Sequence, residues 1–384
     1  MPMMILAPEE LVALVRSVFP RFETDRSLAI LVDVPRDAQK DNPDWKERRR
    51  LAYEWYALLQ ARKQEVPLAE VKLVAYPDVG SNNADLPGEG FLLDGPLPEV
   101  AAELERAGKR VGFEQVFSES QLFLAPTEFS TTAPLKVAAR RFRFRAATMP
   151  GFAASMIPAL RIDYGEVARR VDALKTRLDE ADHADVSFTV DGKSEYAIHF
   201  DLRHRKAHAS SGRFPELGTA GNLPSGEAYI VPYEGDAGEE SRTEGILPVE
   251  IDGEMVLFTI QANRAVMVEG GGPQAQAERA HLLAEPAYGN LAELGFGVLA
   301  DFGLVPIGEI LLDEKLGLHI AFGRSDHFGG AVGPGDFSSA QAVIHLDRIY
   351  IPQVQPRIAV RVVTLGYGDG RSESIMANGA YTIF

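Results

Sequence analysis

The sequence contains no cysteine, and this absence removes several kinds of site at once. Without thiols the chain has no disulfide, no thiolate metal site and no cysteine nucleophile. Any metal ion in this protein therefore has to be held by carboxylates and by the 8 histidines. A chain without disulfides fits a reducing compartment, and we expect a cytoplasmic protein.

Basic residues are scarce relative to acidic ones. Lys and Arg number 39 against 55 Asp and Glu, which gives a formal net charge of −16 at pH 7. A charge of this sign repels a phosphate backbone and an anionic membrane surface. We therefore expect neither nucleic acid nor a membrane as a partner.

Long apolar runs and several familiar motifs are missing as well. The stretch from Met1 to Phe19 lacks the basic start and cleavage site of a secretory signal, and Glu9 and Glu10 interrupt it well short of a membrane span. This stretch predicts an amphipathic first helix. No G-x-G-x-x-G or G-x-x-x-x-G-K follows an apolar run, and G-x-S-x-G is absent, so nucleotide binding and serine hydrolysis have no support.

The segments that are present predict two domains. Leu28 to Val34 and Val71 to Tyr76 are apolar runs separated by the helix-prone stretch Asp44 to Lys63, an order typical of a βαβ unit. After residue 160, short alternating segments such as Ala342 to His345 dominate, with turns such as Asp191-Gly192 that are typical of hairpins. We predict an α/β N-terminal domain over residues 1–160 and a β-rich α+β C-terminal domain over residues 161–384.

Two basic stretches have simple structural interpretations. His204 and His208 have the i, i+4 spacing of a helical zinc pair, but basic residues lie between them and the general-base Glu of H-E-x-x-H is missing, which favours a basic surface loop. The run from Arg141 to Arg145 (RFRFR) predicts a strand whose two Phe side chains face the core and whose Arg side chains face solvent.

The spacing His-x-Asp occurs three times. Residues i and i+2 of a strand share one face and can both reach one cation. His345 and Asp347 lie in an apolar strand context, where two polar side chains on one face need a partner. We interpret the other two pairs differently: His183/Asp185 as a solvated turn at a helix end, and His199/Asp201 as an exposed strand face.

Four short stretches of the last half of the chain combine carboxylates and imidazoles. They are LPSGEAYIVP, LAELGFG, LLDEKLGLHIAFG and VIHLD, and they contain Glu227, Glu293, Glu314, His319, His345 and Asp347. Four carboxylates and two imidazoles are enough to hold two divalent cations with open positions for water and substrate. Without cations, so many converging acids would repel one another and raise each other's pKa.

In order and joint occurrence, these stretches resemble the metal-binding motifs of the thermophilic metallo-aminopeptidase family, the aminopeptidase T or leucyl aminopeptidase-like group. The resemblance implies a metallopeptidase-like C-terminal domain that binds two Zn, Co or Mn ions. It implies that Glu293 bridges the two ions, that Glu227 and His319 complete one site, and that Glu314, His345 and Asp347 complete the other. The implied catalytic residues are Glu293 and Glu227.

The function implied by this resemblance is removal of N-terminal residues from peptides by a water bound to the two metal ions. A homodimer is also expected, both from the resemblance and because the apolar segments Ile358 to Leu365 and Ala380 to Phe384 need a covering surface.

Two alternatives stay open at this point. The 2,5-dihydroxypyridine dioxygenases resemble the same fold and use one Fe(II) with two His and one carboxylate, which His319, His345 and Asp347 could supply. Retention of the three other acids favours the hydrolase, because one Fe(II) does not need them. The other alternative is a non-catalytic relative that acts as a binding or structural protein.

Overall fold

A computed structural model describes residues 5–339 and 341–384. The predicted first helix is present as α1 (Pro8–Val18), and residues 1–4 of the stretch that predicted it lie outside the described residues. None of the helices in the described ranges is both long and apolar enough to cross a membrane.

The longer helices and the strands alternate in the first part of the chain, and strands dominate the second. The remaining α-helices are α2 (Pro43–Ala61), α3 (Leu104–Ala107), α4 (Phe113–Glu119), α5 (Thr132–Phe142), α6 (Tyr164–Glu180), α7 (Pro273–Ala284) and α8 (Ile310–Asp313). The strands are β1 (Ser27–Val34), β2 (Glu70–Pro77), β3 (Glu89–Leu93), β4 (Lys109–Gly112), β5 (Leu122–Ala125), β6 (Arg145–Thr148), β7 (Ala181–Val190), β8 (Ser194–Asp201), β9 (His208–Ser210), β10 (Thr219–Asn222), β11 (Glu227–Ile230), β12 (Glu244–Ile251), β13 (Glu254–Gln261), β14 (Arg264–Glu269), β15 (Leu291–Gly297), β16 (Leu318–Gly323), β17 (His345–Ile349), β18 (Ile358–Tyr367), β19 (Ser372–Ala377) and β20 (Ala380–Tyr381).

The first unit comprises residues 1–168 together with residues 210–225, of which residues 5–168 and 210–225 are described. Its sheet has the order β10-β6-β5-β1-β2-β3-β4. Strand β1 is buried at every position and pairs in parallel with β2 across the helix α2, as the apolar runs predict. A strand buried on both faces has to be apolar throughout, because no position faces water.

The second unit comprises residues 169–209 and 226–384 and contains an eight-stranded antiparallel sheet of order β14-β13-β12-β8-β7-β18-β19-β20. The turns between β7 and β8 and between β12 and β13 use the predicted Asp-Gly pairs, with positive φ at both residues of each pair. A second sheet has the order β17-β16-β15-β11-β9. The predicted fold class, an α/β part followed by a β-rich α+β part, is confirmed.

Three sequence-based expectations differ from the structure in detail. The predicted boundary at residue 160 assigned residues 210–225 to the second domain, whereas in the structure they belong to the first unit. The strand expected over Ala342 to His345 begins at His345 instead. Strand β18 is paired on both sides, by β7 and β19, so its edges need no covering surface, whereas β20 is the last strand of this sheet and is paired by β19 alone; the homodimer stays a prediction.

Candidate metal centre

Four neighbouring strands of the five-stranded sheet carry five of the six predicted ligands on one face, and Glu314 lies in a short helical turn outside the sheet. Asp347 on β17 and Glu293 on β15 both lie opposite Ala321 of β16, so the three positions form one row across the sheet. In the next row His319 lies opposite Gly295. Side chains two residues apart share a face, which places His345 beside Asp347 on this same side. Glu227 begins β11, which pairs with β15 on the side away from β16, and it lies opposite Gly297.

Glu293 lies at the middle of this arrangement and contacts both imidazoles. Its Oε1 is 3.1 Å from His319 Nε2, and its Oε2 is 3.4 Å from His345 Nε2. Each imidazole has a second carboxylate nearby, with His319 Nε2 3.5 Å from Glu227 Oε2 and His345 Nε2 3.6 Å from Asp347 Oδ1. The ligand atoms therefore form two groups that share Glu293.

The orientation of both imidazoles is fixed by backbone carbonyls. His319 Nδ1 is 3.2 Å from the carbonyl of Gly317, and His345 Nδ1 is 2.8 Å from the carbonyl of Arg324. A carbonyl can only accept, so both Nδ1 atoms carry a hydrogen and both Nε2 atoms face the carboxylates. Histidines that bind metal are usually oriented in this way, with the other ring nitrogen donating to a fixed acceptor.

Gly295 provides the space for the His319 ring. A Cβ atom added at residue 295 would overlap the imidazole of His319, which crosses the sheet directly above this position. Glycine is therefore required at residue 295 because the His319 ring approaches the backbone closely, and not because the backbone adopts a special conformation there.

Lys315 is a residue of this site that the sequence analysis did not identify. Its side chain is 3% exposed, and Nζ donates to Glu227 Oε1 at 2.5 Å and also to the carboxylate of Glu314. Glu314, expected beside His345 and Asp347, belongs to neither of the two ligand groups among the described residues. The available signal was a lysine directly after two acids, in a charged triplet that apolar residues flank in LLDEKLGLHI.

The pKa shifts at this site reflect burial and the dense packing of charge. Burial opposes the ionised form of Glu293, but hydrogen bonds from His319 and His345 outweigh it and lower the pKa of this carboxyl. Burial also opposes protonation of His319, yet Glu293 and Glu227 raise its pKa to about 9. For Glu314, burial dominates and raises the pKa to about 8, despite the adjacent Lys315.

The residues fit a bound cation on two observations. Glu227 Oε2 is buried and has no hydrogen-bond partner, while Oε1 of the same carboxylate is bound by Lys315. The Nε2 atom of each neutral imidazole and the carboxylate oxygens beside it are all hydrogen-bond acceptors, and acceptors repel one another. A proton or a metal ion therefore has to lie between each Nε2 atom and its carboxylates. Carboxylate oxygens and imidazole nitrogens are the donors that Zn²⁺ and related ions take in cysteine-free sites.

Other histidines contribute differently. His204 is exposed, and His208 is half-buried, with its ring stacked on Tyr229 at 5.1 Å. Neither belongs to a ligand group among the described residues. His183, Asp185 and His199 do form a third group, on the exposed face of the eight-stranded sheet and not in a turn at a helix end.

Comparison with known proteins supports the fold. No protein-family model and no curated protein matches the sequence. The structure is similar to 2,5-dihydroxypyridine dioxygenase from Pseudomonas putida, with a TM-score of 0.58 and 15% identity over 98% of both chains. It is also similar to wild-type AmpT from Thermus thermophilus, with a TM-score of 0.54 and 15% identity over 98% of both chains. At this identity the likeness shows the fold and not the reaction.

Proposed function

We propose that this protein is a metal-dependent hydrolase that removes N-terminal residues from peptides. The observation that carries the proposal is the position of Glu293, whose two oxygens face two different imidazoles. Each imidazole has its own second carboxylate, Glu227 on one side and Asp347 on the other. Two ligand groups with one shared carboxylate are the arrangement that a pair of divalent cations requires.

The chain's residues have distinct roles in this proposal. Glu227, Glu293 and His319 would hold one ion, and Glu293, His345 and Asp347 the other. Two such ions supply an acidified water and polarise a peptide carbonyl. Lys315 holds Glu227 by Oε1, which leaves Oε2 directed at His319 and available as a ligand.

A mononuclear Fe(II) ring-cleaving dioxygenase is the second candidate, and one observation favours it. Lys315 already compensates part of the negative charge of Glu227 and Glu314. With one dication bound, the net negative charge of the site is therefore smaller than a count of its four carboxylates indicates. Against this candidate, no ligand group among the described residues joins His319 with His345 and Asp347. The similarity to both an aminopeptidase and a dioxygenase is compatible with either reaction.

Activity assays on defined metal forms distinguish these reactions. Protein stripped with chelator is reloaded anaerobically with Zn²⁺, Co²⁺, Mn²⁺ or Fe²⁺, and then tested on a panel of short peptides and on 2,5-dihydroxypyridine with O₂. We expect release of N-terminal amino acids, detected by mass spectrometry, with Zn²⁺, Co²⁺ or Mn²⁺. Oxygen uptake confined to the Fe²⁺ form would establish the dioxygenase, and inactivity of every form would favour a non-catalytic relative.

A variant pair links the activity to the centre. Glu293→Gln removes the shared charge with little change in shape, whereas Glu285→Gln removes another buried carboxylate of the second unit, one that binds Ser338. Hydrolysis should be lost in the first variant and retained in the second. Equal activity in both variants would refute the proposed role of Glu293.

A further inference from the structure

Two histidines and one aspartate form a cluster on the exposed face of the eight-stranded sheet, in a different sheet from the candidate metal centre. His183 and Asp185 lie on β7, and His199 lies on the adjacent strand β8. Asp185 and His199 line a shallow depression of about 540 Å³ on this face. The three side chains are 38%, 55% and 34% exposed, respectively, so an ion in solvent can reach them.

The carboxylate of Asp185 contacts both rings. Asp185 Oδ1 is 2.8 Å from His199 Nδ1, and Oδ2 is 3.6 Å from His183 Nε2. The rings are close to each other, with centroids 4.9 Å apart and planes tilted by 33°. One ligand atom from each residue lies within 4.8 Å of the others, which is the spacing that a single ion can span.

The backbone fixes this geometry. Asp185 lies directly opposite His199 in the continuous pairing of β7 with β8, and opposite Thr364 of β18 on its other side. A central strand paired on both sides holds its side chains more precisely than a loop. Gly366 contributes too, because a Cβ at this position would overlap the His183 ring, which lies against the sheet there.

The local charge favours a cation. Glu244 lies opposite His199 on the next strand, β12, and lines the same depression. Among the described residues that line the depression there is no lysine or arginine. The two imidazoles are the basic groups in ion-pair contact with Asp185. Glu244 therefore adds negative charge on the same face as the cluster, and no described residue of the depression adds a competing cation.

We propose that His183, Asp185 and His199 form a second metal site, for a single first-row dication of the Zn²⁺ type. Two imidazoles and one carboxylate are a preferred ligand set for Zn²⁺ and for Ni²⁺ or Cu²⁺, and they are a poor set for Mg²⁺ or Ca²⁺. Water completes the coordination. Because its ligands come from two strands, the ion links β7 to β8 and stabilises the sheet when bound.

The test is a count of bound zinc per chain at equilibrium with buffered free Zn²⁺. The variants are His199→Ala and Asp185→Asn, and the control is His204→Asn, which removes an exposed imidazole and keeps a residue type that tolerates the positive φ at this position. We expect one ion fewer in each ligand variant and no change in the control. Since the measured quantity is a difference, the result does not depend on how many ions the candidate centre holds.

A variant that retains all three ligands separates metal binding from loss of a side chain. Gly366→Ala displaces the His183 ring and should weaken zinc binding by about ten- to 100-fold, the range for disturbed ligand orientation. Zinc should also raise the thermal midpoint of wild type more than that of His199→Ala. An unchanged zinc count and an unchanged thermal shift in folded His199→Ala and Asp185→Asn would overturn the proposal.

Discussion

Replacing Lys315 with methionine tests the charge balance of the candidate centre. Methionine keeps most of the length and apolar surface of the side chain and removes the ammonium group. In the wild-type chain this group binds Glu227 and Glu314, whose side chains are 6% and 18% exposed. Burial lowers the pKa of Lys315, but the two carboxylates outweigh it and raise the pKa, so the lysine is charged. In the variant both carboxylates lose this partner.

The expected loss is large because the remaining charges are buried. Removing one partner of a buried ion pair costs about 3–5 kcal/mol of unfolding free energy, and we expect this range for the metal-free variant near neutral pH. A matched control is Lys72→Met in the first unit. Lys72 is similarly buried, at 8% exposed, but its partners Glu70 and Glu119 are 57% and 47% exposed, so water solvates them after the change. This control should lose only about 0–1 kcal/mol.

The pH dependence of the loss follows from the direction of the carboxyl pKa shifts. Burial already raises the pKa of Glu314 from 4.5 to about 8 in the wild-type chain, and loss of the ammonium group raises it further. An acid with a raised pKa in the folded state destabilises the fold progressively as pH rises above its unfolded value. Between pH 4.5 and 8 the folded Glu314 carboxyl is protonated in both proteins, so the part of the Lys315→Met deficit that comes from Glu314 should be small there and should grow as the pH is raised above about 8.

Urea unfolding followed by circular dichroism measures this deficit for both variants below and above pH 8, in chelator and in zinc. Bound metal should restore part of the lost stability, because it neutralises the Glu227 carboxylate. The reasoning fails if Lys315→Met is no less stable than Lys72→Met in chelator, or if its deficit does not change with pH.

Four further predictions concern the same site and the assembly of the chain. Glu293→Gln should retain the wild-type circular dichroism spectrum and lose metal-dependent turnover, and an unfolded or fully active variant would contradict the assignment. Gly295→Ala should reduce metal affinity by about ten- to 100-fold, because its Cβ displaces the His319 ring, whereas Gly271→Ala, where the added Cβ has open space, should not. Zinc affinity should fall by up to about tenfold for each pH unit below pH 9, because zinc must displace the proton of His319, whose pKa is raised to about 9. Competition titrations that give the same zinc affinity at every pH would refute this. Light scattering at micromolar concentration should give the mass of a homodimer, and a monomer mass would remove that expectation.

Local patterns in the sequence predicted the elements whose structure depends on nearby residues. The apolar run of β1 is buried at every position, and the Asp191-Gly192 pair adopts the positive φ values of a tight hairpin. In both cases the deciding physics, burial on two faces or turn conformation, acts within a few residues.

Residues whose environment is made by distant segments were not predicted. The expected strand over Arg141 to Arg145 is wrong, because Phe142 ends α5 and Arg145 is fully buried, where it donates to Asp25 at 2.7 Å. Nothing near Arg145 in the sequence indicates a carboxylate that lies 120 positions away. The same reason explains why Lys315 was missed, since its role depends on Glu227, 88 positions earlier.

The sequence indicated which residues come together at the candidate site, but it did not indicate all of the contacts that they make with one another. The family resemblance implied that Glu293 is the shared carboxylate, and in the structure its two oxygens face His319 and His345. The sequence could not show that Glu314 contacts Lys315, because adjacent residues in a short helical turn take their side-chain directions from packing. Nor could it show that β7 and β8 bring His183 and His199 together, because that contact depends on hairpin register.

The most direct test of the central claim is the number and position of metal ions around Glu293. Crystals grown with Zn²⁺ or Mn²⁺ give anomalous difference maps at the absorption edge of the metal, which locate each ion independently of activity. We predict two peaks within bonding distance of the Glu293 carboxylate, one also bound by Glu227 and His319 and the other by His345 and Asp347. A single peak at this centre, or two peaks that do not share Glu293, would contradict the proposed dinuclear site.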